Sequence, residues 1–295
     1  MPALFASEIN PSSSIFSTIL AGIATNLVNA GHNVLGWDLN PKAIEQLEGL
    51  AATGKPEEMS AKCEVIFLVV PGSKEIQQLF KGKFGILKNA KRGLVLYDLT
   101  TSDPSFTKRL ANQAKAKNVE YLDAGMTGGA PGADQGTLKL MIGGNKKAFN
   151  RTKHILEAFT SELYHLGDIG SGHTMKIIFN MIVHTNFLVI CEAALIAEKS
   201  GISLQNVIDI VNAGNARNYA SERRFPDHIL SDTWDARSRI YNLNKDVGMA
   251  VELAKKMGLT ANIGKSTHKY LKLAVKRGMS EDDFSLLYKE FRNLN

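Results

Sequence analysis

The chain has 295 residues, of which 44% are hydrophobic, and its 35 lysines and arginines against 29 acidic residues give a formal net charge of +6. This length and hydrophobic content can form one large domain or two domains of ordinary size. Because the basic residues are scattered among acidic ones, the charge does not indicate a nucleic-acid partner; a modest positive field suits an anionic ligand or simply a soluble protein.

Other sequence features concern metals, membranes and the compartment. Cys63 and Cys191 lie in apolar stretches without paired spacing, and the seven histidines are isolated, so we expect neither disulfides nor a metal site. Polar residues interrupt the apolar region from Ile177 to Ile196, which favours a core helix over a membrane span. No lysine or arginine precedes Lys42, which is unlike a targeting signal, and we expect a cytoplasmic protein.

In chain order, the first part alternates helix-like stretches with short apolar runs rich in branched residues. A run of this kind predicts a strand, and strands that alternate with helices predict β-α-β units. The predicted strands cover residues 33–38, 64–71, 93–100, 119–125, 138–144 and 162–167. We therefore expect an α/β fold that opens with a Rossmann-type, mostly parallel sheet.

After Gly172 the strand-like runs stop and the pattern becomes helical. A long central helix is predicted over residues 173–200, with shorter helices over 203–214, 244–258 and 280–291. Ser203 and Ser280 resemble helix N-caps, and Gly214 and Gly258 resemble helix stops. Glycines between residues 167 and 172 mark the boundary, so we expect a dinucleotide-binding domain over 1–167 and an all-α substrate and oligomerisation domain over 168–295.

A dinucleotide site in such a fold needs an acidic residue for the ribose and a glycine-rich turn for the pyrophosphate. Asp38 closes a predicted strand and suits the ribose hydroxyls, which would favour NAD over NADP, although an Asp before Asn40-Pro41 can also simply cap a turn. The three glycine positions, counted back from residues 24–38, fall on Ile15, Ser17 and Leu20. The glycine fingerprint is therefore missing.

Two explanations of the missing glycines stay open. In the first, Ala3 to Ile9 form a short first strand, and Ser12, Ser13 and Ser14 cap the following helix and offer hydroxyl and backbone donors to phosphate. In the second, the chain has lost cofactor binding or has an altered start. Val70-Pro71 and Thr101 follow two other predicted strands, where a cofactor would lie, but these are also ordinary loop residues.

The long predicted helix carries Lys176 and Asn180, which are four residues apart and so share one face. An apolar helix would desolvate Lys176 and lower its pKa, which would make it a proton donor and acceptor near neutral pH. Asn180 could orient a substrate by hydrogen bonding. A lysine on an apolar helix can also extend to solvent without any catalytic role.

Motifs along nearly the whole chain carry a family resemblance. They are NLVNAGHNVLGWDLNP, VVP, DLTTSDP, DAGMTGGAPGADQGTLKLMIGG, GSGHTMKIIFNM, LNKD and DDFSLLY. In this order and spacing they resemble the 3-hydroxyisobutyrate dehydrogenase branch of the β-hydroxyacid dehydrogenases. The resemblance implies an NAD(P)-dependent oxidoreductase that interconverts a small β-hydroxy carboxylate and its aldehyde or semialdehyde, assembled as a homodimer or homotetramer. From the charge and hydropathy patterns above we expect no nucleic-acid or membrane partner.

The resemblance also implies residue roles. Lys176 matches the family's catalytic lysine and Asn180 its substrate-orienting asparagine. Thr127, Gly128 and Gly129 match the substrate loop, where they would hold a carboxylate. Lys245 matches a lysine that reaches substrate and cofactor from the helical domain. Val70, Pro71 and Thr101 match contacts on the nicotinamide side.

The sequence departs from the family pattern at three places. The glycine-rich turn is missing, Gly125 stands in DAGMTGG where the family has a proline, and Phe179 stands where it commonly has an asparagine. The first departure supports an alternative in which the chain is a catalytically silent paralogue that binds or scaffolds other molecules. A weaker alternative is an imine reductase, but related imine reductases generally lack the lysine found at position 176.

Overall fold

The structure is a computed structural model that describes residues 2–6, 14–39, 44, 47, 49–52, 55–81 and 85–294. Contacts divide the chain into two compact units, Met1–Lys176 and Ile177–Asn295. The division falls within one helix. The domain boundary between residues 167 and 168 stays a prediction.

The first unit is built on one eight-stranded sheet with the strand order β3-β2-β1-β4-β5-β6-β7-β8. All neighbouring strands run parallel except β6 and β7, which are antiparallel. The strands are β1 Pro2–Ala6, β2 Val34–Asp38, β3 Leu50–Ala52, β4 Val65–Val69, β5 Val95–Asp98, β6 Glu120–Thr127, β7 Leu138–Gly143 and β8 Thr160–Gly167. The predicted fold class, a mostly parallel sheet domain followed by helices, is confirmed.

Six helices whose ends lie among the described residues accompany the sheet. They are α1 Ser14–Asn29, α2 Pro56–Lys62, α3 Ser73–Phe80, α4 Pro104–Lys115, α5 Gly129–Asp134 and α6 Lys146–Leu156. Strands β2, β4 and β5 are buried along their whole length, because helices and sheet bury two apolar clusters. This double burial explains why their sequences are continuous apolar runs rather than alternating ones.

The helical part begins with α7, Ser171–Lys199, and continues with a π-helix over Ala220–Leu230. The other α-helices are α8 Leu204–Ala213, α9 Ile240–Lys256, α10 Asn262–Lys276 and α11 Leu287–Glu290. Ser203 caps α8 by accepting a hydrogen bond from the Asn206 amide, as predicted. By length and composition α7 could cross a membrane, a property that core helices share.

The C-terminal prediction of one helix over residues 280–291 is wrong. The segment forms short 3-10 turns, Met279–Glu281, Phe284–Leu286 and Phe291–Leu294, around the four residues of α11. Ser280 is not the cap, because the Asp283 carboxylate accepts from the Ser285 amide and hydroxyl. A stronger acceptor three residues later therefore starts the turn.

Candidate active site

One edge of the sheet gathers the predicted residues of the first unit. Strands β2, β4, β5 and β6 run parallel, so their carboxyl ends lie along the same edge. Asp38 ends β2, Val70-Pro71 follow β4, Thr101 follows β5, and Thr127 ends β6. In open α/β sheets this edge is where ligands bind. Segments far apart in sequence are therefore brought to one place that suits a ligand.

The β2 end of this edge holds Asp38. Its side chain is 7% exposed and its residue pairs in register with Ala6 of β1. A carboxylate held in a fixed place at the end of a buried strand suits the two hydroxyls of a ribose. Trp37, beside it, is also buried.

The missing glycine positions lie inside α1, because Ile15, Ser17 and Leu20 all belong to that helix. Leu20 is 2% exposed and belongs to the apolar cluster between α1, the sheet and α5. Leu20 therefore fills core volume where the fingerprint would have a glycine. Strand β1 runs from Pro2 to Ala6, and the rest of the predicted strand to Ile9 lies outside the described residues. Ser12 and Ser13 also lie outside them, and Ser14 begins α1.

The loop after β6 has the backbone that its glycines allow. Gly128 has φ of 120° and Gly129 has φ of 61°. Both residues are exposed, whereas Thr127 before them is partly buried. Side chains are disfavoured at such φ values, and glycines leave backbone amides accessible to a ligand. The Thr127 hydroxyl and these amides could accommodate a carboxylate.

The start of α7 is fixed by a buried carboxylate that the sequence prediction missed. Asp123 of β6 is fully buried, and its two oxygens accept hydrogen bonds of 2.7 Å from the backbone amides of Gly170 and His173. These are charge-assisted bonds to the amides of a helix start, which otherwise lack partners inside the helix. Asp123 thus ties the first turn of α7 to β6.

A second buried carboxylate, Asp98 of β5, lies beside Asp123 in register. It accepts hydrogen bonds from the Thr100 amide and hydroxyl and from the Tyr121 hydroxyl. Burial, together with the negative charge of Asp98, raises the pKa of Tyr121 well above its ordinary value, so the phenol stays a proton donor. The His173 ring joins the Asp98 carbonyl to the Thr107 hydroxyl. Asp98 ends β5 and Asp123 lies in the middle of β6, and an aspartate within a buried apolar strand is the signal that could have revealed both.

Lys176 lies in the second turn of α7 and is partly buried. The helix approaches β6 closely here, since a Cβ added to Gly125 would lie 2.5 Å from the Lys176 Cβ and 3.3 Å from the Gly172 carbonyl oxygen. The stem of Lys176 therefore occupies space that Gly125 leaves open. This contact places the lysine against the strand that leads into the Thr127–Gly129 loop.

In the second unit, Asn180 and Lys245 converge on one carboxylate. The Asn180 amide donates a 2.6 Å hydrogen bond to Asp246 Oδ2, and Lys245 Nζ lies 3.4 Å from Asp246 Oδ1. Asn180 and Asp246 are buried, at 7% and 5% exposed. Asp246 was not among the predicted site residues, although it follows Lys245 directly in the LNKD motif. It fixes the rotamer of Asn180 and draws Lys245 towards it.

Cysteine and metal chemistry have little support in the described part of the chain. Burial raises the pKa of the Cys63 thiol to about 11 and that of Cys191 well above its ordinary value, so both stay protonated near neutral pH. Among the described residues, no group of three or more His, Cys, Asp and Glu side chains could hold a metal ion.

Known families match both parts of the chain. Residues 21–167 match the NAD-binding domain of 6-phosphogluconate dehydrogenase, and residues 170–291 match the NAD-binding family of NADP-dependent 3-hydroxyisobutyrate dehydrogenase. A probable mitochondrial 3-hydroxyisobutyrate dehydrogenase of Dictyostelium discoideum is 31% identical, over 92% of this chain and 88% of the relative. The 2-hydroxy-3-oxopropionate reductase of Escherichia coli is 29% identical, over 90% and 91% of the two chains.

Solved structures share this fold, a mostly parallel sheet followed by helices. A 3-hydroxyisobutyrate dehydrogenase from Salmonella typhimurium superposes with a TM-score of 0.85 at 25% identity, covering 98% of this chain and 99% of the other. An imine reductase from Myxococcus stipitatus, solved with NAD+, gives 0.65 at 15% identity, covering 99% of each chain. At that identity the second similarity shows the fold alone.

Proposed function

Because the chain belongs to the β-hydroxyacid dehydrogenase family, we propose that it interconverts a small β-hydroxy carboxylate and its aldehyde or semialdehyde, with Lys176 as the group that transfers the proton. One observation carries the proposal: Lys176 is held against Gly125 of β6, at the sheet edge where the predicted cofactor and substrate residues gather. The relatives named above act on 3-hydroxyisobutyrate and on 2-hydroxy-3-oxopropionate, which have this chemistry.

The residues of the first unit fit a nicotinamide dinucleotide. The buried carboxylate of Asp38 would accept from the ribose hydroxyls, and Val70, Pro71 and Thr101 would border the nicotinamide side. Ser14 begins α1, so the amides at the start of this helix would face the pyrophosphate, with Ser12 and Ser13 as further candidate donors. The bound nicotinamide supplies the hydride in reduction and accepts it in oxidation.

Lys176 completes the proton balance. In the reductive direction, its Nζ–H donates a proton to the carbonyl oxygen as hydride addition to the carbonyl carbon turns that oxygen into an alkoxide. In the oxidative direction, neutral Nζ accepts the proton of the substrate hydroxyl. Such a positioned acid or base contributes about 10² to 10⁴ in rate.

Other residues hold the substrate in this proposal. The Thr127 hydroxyl and the exposed amides of Gly128 and Gly129 bind its carboxylate, whose charge a cationic Lys245 also favours. Asn180, fixed by its bond to Asp246, orients the reacting oxygen. Accurate positioning of this kind lowers the entropic part of the barrier.

We propose NAD as the preferred cofactor because Asp38 would repel the 2′-phosphate of NADP. Titration of the protein with NADH and with NADPH tests the preference. Binding is monitored by fluorescence energy transfer from Trp37 and Trp234 to the bound nicotinamide. We expect micromolar binding of NADH and at least about tenfold weaker binding of NADPH, which is about 1.4 kcal/mol.

The decisive test of the reaction is Lys176→Ala, assayed on a panel of small β-hydroxy acids and semialdehydes. We expect turnover to fall by about 10² to 10⁴ while NADH affinity and the unfolding midpoint change little. Lys199→Ala is the matched control, because Lys199 is an exposed lysine in the last turn of the same helix. Undiminished turnover in Lys176→Ala would overturn the mechanism.

Family membership favours the enzyme over the catalytically silent paralogue. The silent paralogue predicts no binding of NADH or NADPH at millimolar concentration, so the same titration separates the two. The imine reductase alternative predicts reduction of a cyclic imine but not of a semialdehyde. Retention of a lysine at position 176 supports carbonyl chemistry over it.

We also propose a homodimer or homotetramer in the cytoplasm. Helix α7 carries Ile182, Val189 and Ile196 at a spacing of seven residues, with 51%, 54% and 64% of their surfaces exposed. Side chains seven apart share one helix face, so these three form an apolar stripe that a second copy could cover. Light scattering after size exclusion should give a dimer or tetramer. Val189→Lys should lower the molar mass of the assembly in solution, whereas Tyr164→Lys, at an exposed residue of β8, should leave it unchanged.

A further inference from the structure

We propose that Gly125 is the positioning residue for Lys176: the absence of a side chain at 125 sets how closely the proton-transferring lysine approaches β6. The expected loss of turnover rests on the proposed function, whereas the close contact between Gly125 and Lys176 does not. Glycine weakens a strand interior because it has no side chain to pack, and it often marks a close backbone approach. Gly125 is such a residue, between Ala124 and Met126 of β6.

The geometry leaves no space for any larger residue at this position. A Cβ at Gly125 would lie 2.5 Å from Lys176 Cβ and 3.0 Å from Lys176 Cγ, whereas real Cβ contacts begin above 3.0 Å. The nearest atom is at the stiff base of the lysine side chain, so rotating the flexible end relieves nothing. Relief therefore needs the helix or the strand to move by about 1 Å.

The neighbouring turn of α7 cannot easily yield. A Cβ on Gly172 would lie 2.8 Å from the Asp123 carbonyl oxygen, and one on Gly143 would lie 2.6 Å from Asp123 Oδ1. Backbone touches backbone at Gly172, Gly143 packs against the Asp123 carboxylate, and that carboxylate holds the Gly170 and His173 amides. The first turn of α7 is therefore held in place, and a clash at residue 125 would displace Lys176.

The consequence is a shift of the reacting nitrogen relative to the sheet edge. Misplacement of a catalytic group by about 1 Å can cost about 10²-fold in rate. In the backbone of this chain, any residue with a Cβ at position 125 would impose this shift. The glycine in DAGMTGG is therefore matched to the position of Lys176, independently of the stiffness of the loop that follows.

Gly125→Ala tests the inference, with Gly214→Ala as the control. A Cβ at Gly214, which has φ of −114°, meets only the Ile210 carbonyl oxygen at 3.5 Å, an ordinary contact. We expect Gly125→Ala to lower kcat by about 100-fold and to leave the KM for NADH within about twofold, whereas Gly214→Ala changes neither. A kcat within about twofold of the parent would overturn the catalytic consequence.

A second measurement needs no activity. Lys176→Gly removes the two atoms that a side chain at 125 would strike, so the two substitutions should interact in a double-mutant cycle. We expect Gly125→Ala to lower the urea midpoint in the parent, and to lower it by about half as much or less in the Lys176→Gly background. Equal shifts in both backgrounds would overturn the inference.

The outcomes separate the two proposals. If Gly125→Ala does not fold, recovery of soluble protein in the double variant supports the contact, and failure to recover it counts against the contact. If the parent turns over no β-hydroxy acid or semialdehyde, the proposed function fails, while the midpoint cycle still decides whether Gly125 positions Lys176.

Discussion

Helices α1 and α7 are held to the first unit in opposite ways. Helix α1 packs through side-chain volume: Leu20, Ile23 and Leu27 are at most 2% exposed within one apolar cluster. The start of α7 is held through its backbone, by the Asp123 carboxylate and by glycines that let strands and helix touch.

The difference explains how the chain keeps the fold without the glycine fingerprint. The residues between β1 and α1 contain no glycine, yet β1 pairs with both β2 and β4. An apolar face is enough to dock a helix on a sheet, because burial is non-directional. Exact placement of a reacting group needs directional bonds and close approach, and these occur at α7, where Lys176 lies.

A glycine at position 20 should have the largest effect on stability. Leu20→Gly removes a buried side chain and adds a helix-interior glycine, so we expect a loss of about 4 to 5 kcal/mol in the free energy of unfolding. NADH affinity should not improve. The measurement is urea unfolding with a parallel NADH titration.

Two controls accompany this experiment. Leu20→Ala should lower the free energy of unfolding by about 3 kcal/mol. This milder variant can be measured even if Leu20→Gly does not fold. Leu166→Ala, at a residue 44% exposed on β8, should cost less than about 0.5 kcal/mol. Tighter NADH binding without loss of stability would show that Leu20 only obstructs the cofactor.

Asp123→Asn tests the α7 side, with the next largest effect. Asparagine can offer its oxygen to one of the two amides, and its NH2 group then faces the other donor. Losing one charge-assisted bond and leaving a buried N–H unsatisfied should cost about 3 kcal/mol. Turnover per folded molecule should fall as well, because the first turn of α7 loosens. Unfolding midpoints and kcat are the measurements.

Asp168→Asn is the matched control, since Asp168 is exposed and lies just before α7. Only its backbone carbonyl holds the Ser171 amide, and the substitution leaves that group unchanged. We expect less than about 0.5 kcal/mol. Equal effects at positions 123 and 168 would contradict the proposed role of Asp123.

Gly22→Ala asks whether α1 also depends on close approach. A Cβ at Gly22 would lie 2.6 Å from the Ala133 carbonyl carbon of α5, a backbone atom that cannot rotate away. Helix propensity would favour alanine by about 1 kcal/mol, but overpacking costs about 1 to 3 kcal/mol. We therefore expect a net loss of about 1 kcal/mol in thermal or urea unfolding.

Gly264→Ala provides the contrast for this prediction. There a new Cβ would meet Met181 Sδ at 2.9 Å, and methionine can move aside. We expect this variant to be neutral or slightly more stable. A stabilised Gly22→Ala would mean that α5 moves away without cost.

The sequence predicted elements better than it predicted contacts. Apolar runs located six of the eight described strands, and fully buried ones such as β2, β4 and β5 leave a continuous apolar pattern. Strand β1 entered only as one of the two explanations of the missing glycines. Strand β3, Leu50–Ala52, was missed because three residues carry too little pattern. The C-terminal helix failed because residues 280–291 have a helical composition but are capped within the segment at Asp283.

For the candidate site, motifs indicated the residues proposed to act, whereas the buried carboxylates that hydrogen-bond nearby groups were missed. Lys176 and Asn180 stood out as polar residues on an apolar helix. Asp123 and Asp246 did not, because their roles arise from pairing with the Gly170 and His173 amides and with Asn180, which are distant in sequence. The glycine at 125 was noted only as a lost proline; its contact with Lys176 is tertiary.

Asp38→Ser tests the α1 side of the sheet edge through cofactor affinity rather than stability. Removing the carboxylate should weaken NADH binding about tenfold, or about 1.4 kcal/mol, by removing its bonds to the ribose. NADPH binding should stay level or improve, because repulsion of a 2′-phosphate is also removed. Fluorescence titration of both cofactors measures the ratio, with Asp168→Asn as the control. Equal weakening of both cofactors would mean that Asp38 supports the end of β2 rather than the ribose. A changed ratio would mean that this side of the edge selects the cofactor through a side-chain charge, whereas the α7 side positions its lysine through the backbone.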